Sequence, residues 1–169
     1  IVGFSKSEIV PTEEDGYWRN TTVHGTVHDM GAAMMNGVAG HAGLFANAND
    51  LAKMMQMYLN GGYYGGHRYF QESTVQLFSG CAFCELQNRR GLGFDRKQLE
   101  EGPGPSCTCA SEQSFGHTGF TGTMVWMDPK EDLLYIFLSN RTFPDAENWK
   151  LSKLDVRTNI QEYIYDALN

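Results

Sequence analysis

The sequence contains no apolar run long enough to cross a bilayer, which takes about 20 consecutive residues in a helix, and no charged-then-apolar leader opens it. It is also short of positive charge, with 13 lysines and arginines against 20 aspartates and glutamates and a formal net charge of −7. A surface of that sign repels nucleic acid and anionic lipid, so neither is expected as a main partner. Ile1 is not an initiator methionine. The sequence is therefore expected to begin inside a longer precursor, and the missing leader says nothing about location.

Cysteine is scarce, with four residues in two tight pairs, Cys81 with Cys84 and Cys107 with Cys109. A C-x-x-C knuckle lets two thiolates on one turn share a tetrahedral zinc, but the second pair has a single intervening residue and no nearby histidine completes the pattern. Disulfides or free thiols on loops are the plainer reading. Paired cysteines are compatible with an oxidising compartment without requiring one.

What is present suits one globular domain with a core: 169 residues, 41% of them hydrophobic. Residues 1–46 read as an irregular loop region, ending in the glycine cluster Gly37-Val-Ala-Gly-His-Ala-Gly43. Residues 47–80 read as helices. Asn47 with Asp50 makes an N-cap, Leu51, Met54, Met55 and Tyr58 repeat at the helical period, and Gly61-Gly62 stops the first helix. A short second helix covers 72–79, with Val75 and Phe78 inward. Residues 91–139 read as antiparallel strands: Gly91–Asp95, then, after an exposed loop, Ser114–Gly119, Gly122–Met127 and Leu133–Ser139. The last two are joined by the turn Asp128-Pro-Lys-Glu-Asp132. Leu133–Leu138 is apolar at every position, which predicts a strand buried on both faces with helices covering two sides of the sheet. A helix over 152–168 supplies one cover, with Ser152 and Asp155 as its capping signal and Val156, Ile160, Tyr163, Ile164, Ala167 and Leu168 as its inward stripe. The fold class is α+β, an antiparallel sheet flanked by helices.

The most informative stretch is His117-Thr118-Gly119-Phe120-Thr121-Gly122. On a strand His117 and Gly119 face one side, and a position without a side chain leaves room for a ligand along the strand edge. The N–H of Phe120 is then a candidate oxyanion donor. The alternative is a structural strand with an ordinary histidine and a glycine at a bend. His24, His28 and Asp29 form a second cluster. Its H-x-x-x-H spacing suits zinc only on a helix, which the glycine and β-branched residues there oppose, so histidines bonding locally are the better reading. His41 either lines a pocket or packs on backbone.

Taken together these motifs resemble the C-terminal part of the serine β-lactamase-related family, which includes class C β-lactamases, penicillin-binding proteins and related esterases. The resemblance lies in Gly-Val-Ala-Gly-His-Ala-Gly-Leu-Phe at 37–45 with the helix after it, Gly91-Leu-Gly-Phe94, Phe115-Gly-His-Thr-Gly-Phe-Thr-Gly122 and Leu138-Ser-Asn-Arg141. It implies a partial β-lactamase/transpeptidase-like fold. His117, Thr118 and Gly119 match the family's third motif, Lys-Thr-Gly or His-Thr-Gly. It therefore implies that His117 and Thr118 face substrate and that the Phe120 N–H donates to an oxyanion, with no metal and no cofactor. The nucleophile motif Ser-x-x-Lys occurs nowhere in the 169 residues. Tyr58-Leu59-Asn60 matches the second motif by letter only, since Tyr58 belongs to a helix's inward stripe. Both motifs belong to the family's upstream half, so truncation is expected, and the chain alone is expected to lack acyl-enzyme chemistry. The resemblance implies a bacterial, periplasmic or cell-surface hydrolase of ester, amide or β-lactam-like bonds. Its partners would be a small-molecule or cell-wall-derived substrate and the upstream half of its own domain, with self-association of the isolated piece. The rival readings are a non-catalytic binding domain of the same fold and a zinc-stabilised module built on the four cysteines.

Overall fold

The computed structural model describes residues 4–100 and 102–168. Its centre is a four-stranded antiparallel sheet of β5 (Asp95–Arg96), β6 (Phe115–Thr118), β7 (Met124–Asp128) and β8 (Leu133–Phe137), side by side in chain order. Before it come the hairpin β1 (Pro11–Asp15) and β2 (Thr21–His24), the short helix α1 (Met30–Met34) and helix α2 (Ala48–Leu59). A two-stranded turn, β3 (Tyr63–Tyr64) and β4 (His67–Arg68), leads into α3 (Glu72–Ser79), and after the sheet come α4 (Lys150–Lys153) and α5 (Val156–Asp166). None of these helices is long and apolar enough to cross a membrane.

Side-chain alternation along β7 builds a core on each face of the sheet. Met127 and Val125 pack with Phe115, Leu134 and Phe94 against Met55, Tyr58 and Leu59 of α2. Met124 and Trp126 pack on the other face with Tyr135, Phe137 and Ile164 of α5. Helices therefore cover both faces, as the apolar run at 133–138 requires, and the mixed helix and antiparallel-sheet class is the one observed. Full burial of that run is not: β8 is the outer strand, only Tyr135 of it is buried, and Leu138 is exposed. Gly116 sits directly opposite Trp126. A Cβ there would lie 2.6 Å from the indole ring, so only glycine lets β6 approach β7 over the largest fully buried side chain.

Several sequence expectations are corrected. Residues 1–46 are not simply irregular, because Glu13, Glu14 and Asp15 pair with Val23, Thr22 and Thr21. Acidic residues hide this strand, yet Glu13 and Asp15 are buried because His28 and Arg19 pair with them. The hairpin docks on the segment after β8: Glu14 N–H donates to the Pro144 carbonyl at 2.8 Å, the Thr142 hydroxyl to Thr12 O at 2.8 Å, and the Asn140 amide to Pro11 O. The strand expected over 91–95 is only Asp95–Arg96. Ser152 and Asp155 do not cap the last helix; Asp155 is left-handed with no side-chain bond, and Ser152 belongs to α4. The apolar stripe of α5 also misleads. Ile160, Tyr163, Ala167 and Leu168 face solvent, while Gln161 and Tyr165 are buried because each finds a partner. On α2, Met57 rather than Met54 is buried. Phe78 of α3 is likewise outward.

All four cysteines are in disulfides, Cys81–Cys84 and Cys107–Cys109, so no thiolate remains for the zinc-stabilised alternative. The second bridge anchors its loop under α5, where Gln161 accepts from the Cys107 N–H at 2.9 Å. Beside it the buried Asp128 carboxylate accepts from the Ser111 N–H at 2.8 Å, the Ser111 hydroxyl at 2.5 Å, the Tyr165 hydroxyl at 2.6 Å and the Lys130 N–H at 3.1 Å. Burial works to raise this carboxyl, but the Ser111, Tyr165 and Lys130 bonds outweigh it and hold it below the ordinary aspartate value. Burial, with the bond to Asp128, pushes the Tyr165 phenol up. A carboxyl depressed in the folded state contributes stability above its unfolded pKa, near 3.9, and loses it as pH falls through the folded value. Asp128→Asn should therefore cost about 1–3 kcal/mol at neutral pH and reduce the acid-side loss of stability. Urea unfolding across pH checks both, and an acid limb identical to that of the unsubstituted chain would contradict the account.

Candidate functional site

The end of β6 and the turn after it carry the residues of the candidate site, His117, Thr118, Gly119 and Phe120. His117 lies opposite Val125, on the α2 side of the sheet, and its side chain is exposed. Its Nδ1 is 2.7 Å from the Thr118 carbonyl and its Nε2 is 3.2 Å from Nη1 of Arg90. Gly119 N–H then bonds Thr123 O at 2.8 Å, and Gly122 N–H bonds Gly119 O at 3.0 Å, closing a tight turn with Phe120 and Thr121 at its tip. The Phe120 N–H makes no hydrogen bond among the described residues. A Cβ added at Gly119 would meet the Thr123 hydroxyl, so a side chain there would displace Thr123 from the strand edge.

The turn is clamped from behind. Arg141 donates from its backbone to Thr121 O at 2.9 Å and from Nε to Phe120 O at 2.9 Å. Its Nη1 reaches the carbonyls of Ala146 at 2.7 Å and Asn148 at 3.1 Å. The guanidinium lies 4.6 Å from the Phe120 ring centre and 3.9 Å from that of Trp149, and those two rings meet edge to face at 5.9 Å. His28 also stacks on Phe120, at 5.2 Å, while its Nε2 is 3.1 Å from the buried Glu13 carboxylate. The N-terminal hairpin is thus tied to the turn through one aromatic ring.

The other sequence candidates do different work. His24 bonds the Ile9 carbonyl at 2.6 Å. Asp29 caps α1 by accepting from the Ala32 N–H at 2.7 Å and pairs with His41 at 2.9 Å, and these two contacts hold its carboxyl below the ordinary value. His24, His28 and Asp29 are therefore spread over separate partners. No group of three or more His, Cys, Asp or Glu among the described residues is placed to hold a metal ion. Tyr58 packs between Phe70 and Phe94 in the α2 core, where burial pushes its phenol up, so Tyr58-Leu59-Asn60 contributes nothing to this corner.

Reading the sequence misses Arg89, Arg90 and Asp95. The buried Asp95 carboxylate binds Arg89 Nε at 2.8 Å and Arg90 Nη2 at 3.5 Å, and Asp95 pairs in register with Gly116, next to His117. The only signal is the Arg-Arg pair five and six residues before an aspartate, which looks like an ordinary solvated charge cluster. The corner thus gathers a free backbone donor, an imidazole and a guanidinium. The backbone N–H and the guanidinium, both donors, suit an anionic oxygen. Arg141→Met should cost about 3 kcal/mol, because it strands several carbonyls together and removes the charge that lies against two rings. Denaturation followed by tryptophan fluorescence checks this, and a loss within experimental error would refute the clamp.

Comparison with known proteins gives a consistent match. The Beta-lactamase family model matches residues 4–157. A protein of Escherichia coli (strain K12) named "Putative D-alanyl-D-alanine carboxypeptidase" is 37% identical over 152 residues, 83% of this chain and 35% of the relative. A protein of the same name from Salmonella enteritidis PT4 is 35% identical over 161 residues, 89% of this chain and 37% of the relative. A solved β-lactamase structure from Mycobacterium bovis superposes with a TM-score of 0.57 at 23% identity, covering 75% of this chain and 46% of the other, a likeness of fold. The chain spans about a third of the length of the carboxypeptidase-named relatives it matches.

Proposed function

The chain belongs to the β-lactamase family, and from that premise we propose that it forms the substrate wall of a serine hydrolase whose nucleophile lies outside these 169 residues. The reaction is acyl transfer from an ester, amide or β-lactam-like bond, and the relatives' names favour a peptide ending in D-alanyl-D-alanine. One observation carries the reading: His117-Thr118-Gly119 ends in a tight turn whose Phe120 N–H has no hydrogen-bond partner among the described residues. In this mechanism a serine oxygen bonds to the substrate carbonyl carbon and its proton passes to a base in the upstream part. The carbonyl oxygen takes the negative charge against the Phe120 N–H. Collapse of that intermediate expels the protonated leaving group, and water later releases the acyl chain from the serine. His117 and Thr118 line the wall along which the substrate lies. The same names support a cell-envelope location, periplasmic or surface-exposed.

The apolar surface fits a missing cover. Met34, Val38 and Leu44 are 76%, 83% and 79% exposed in the segment before α2. An upstream half of the domain would bury residues of this kind, and without it they favour self-association. Intact mass after penicillin treatment tests the proposal, on this chain and on a form extended upstream. One covalent adduct on the extended form alone is the expected result. If neither form reacts, the catalytic reading fails and a non-catalytic binding domain of the same fold replaces it.

A further inference from the structure

His117 sits between two groups of opposite demand. The Thr118 carbonyl, 2.7 Å from Nδ1, can only accept, so Nδ1 must carry a proton. Arg90 Nη1, 3.2 Å from Nε2, can only donate, so Nε2 must present its lone pair. Both neighbours select one form of the ring. We propose that Arg90 is a positioning residue that holds His117 as the Nδ1–H tautomer, with Nε2 turned into an acceptor and the positive charge of this corner carried by the guanidinium. A doubly protonated ring would turn an N–H against the N–H of Arg90. The tautomer stands on geometry alone, and its consequence for catalysis rests on the hydrolase reading above.

Arg90 is itself held in place from several directions. Its N–H donates to the Asn88 side chain at 3.1 Å, and its carbonyl accepts from the Ala82 N–H at 3.2 Å. Its Nη2 lies 3.5 Å from the buried Asp95 carboxylate, which Arg89 also grips at 2.8 Å. The Cys81–Cys84 disulfide closes the loop at its start, and the Cys81 sulfur lies 3.7 Å from the Asn88 carbonyl. Asp95 pairs with Gly116, so the arginine is referenced to the same strand that carries His117. In this role Arg90 orients the imidazole as another residue's second neighbour would orient a catalytic ring. On the hydrolase reading, His117 then offers the substrate an acceptor rather than a donor at Nε2 once the guanidinium is displaced or shared.

Long-range proton–nitrogen correlation spectra of the ¹⁵N-labelled chain at neutral pH read the tautomer directly, with the His117 signals assigned by their loss in His117→Asn. The expected pattern has Nδ1 in the protonated range and Nε2 in the unprotonated range. Arg90→Met should release the ring to exchange toward the Nε2–H form, and Arg90→Lys, which keeps a donor, should restore part of the original pattern. An Nε2–H ring in the unsubstituted chain overturns the proposal whatever the variants do. Unchanged ring signals in Arg90→Met, with the sheet amides intact, overturn it too, because the Thr118 carbonyl alone would then set the form. The penicillin adduct of the extended form judges the hydrolase reading separately, since it does not depend on which nitrogen carries the proton.

Discussion

The approach of β6 to β7 over the Trp126 ring is the constraint from which the rest of the molecule follows. Gly116 has no side chain, so the strand can lie against the indole and the ladder from Phe115–Met127 to Thr118–Met124 keeps its register. That register sends Phe115 and His117 to the α2 side and leaves Trp126 and Met124 to pack under α5. A slip by one residue would turn both Phe115 and His117 to the α5 side and bring Gly116 and Thr118 to the α2 side. The position of the imidazole is therefore a consequence of core packing on the opposite face.

Two clamps translate this packing into a defined corner. Asp95, on the neighbouring strand, gathers Arg89 and Arg90 beside His117. Arg141, just past the end of β8, takes the carbonyls of Phe120 and Thr121 and packs its guanidinium against the rings of both Phe120 and Trp149. Neither clamp touches the Phe120 N–H. The turn is thus fixed through its carbonyls while that amide is left available, the arrangement a preorganised oxyanion donor needs.

The sheet was legible because β7, β8 and the Asp128–Asp132 turn carry period and turn chemistry that survive without context. The helix at 47–59 was legible for the same reason, through the Asn47 cap and its methionine stripe. What escaped was the strand β1 and the inward face of α5, where polar residues are buried with partners. Glu13 and Asp15 disguise β1 as loop, and Gln161 and Tyr165 disguise the inward face of α5, because a pattern of hydrophobicity cannot register a satisfied polar group. At the site, His117 and Phe120 stand out through the glycines around them. Arg90, Asp95 and Arg141 do not, since their role exists only after residues 27 and 21 positions apart in the chain come together.

The measurement that tests the central claim most directly is a crystal structure of the penicillin adduct on the form extended upstream. The account predicts the acyl carbonyl oxygen within hydrogen-bond distance of the Phe120 N–H, with the bound acyl chain running along β6 past Thr118 and His117. An adduct whose carbonyl oxygen points elsewhere and whose acyl chain avoids β6 would contradict it.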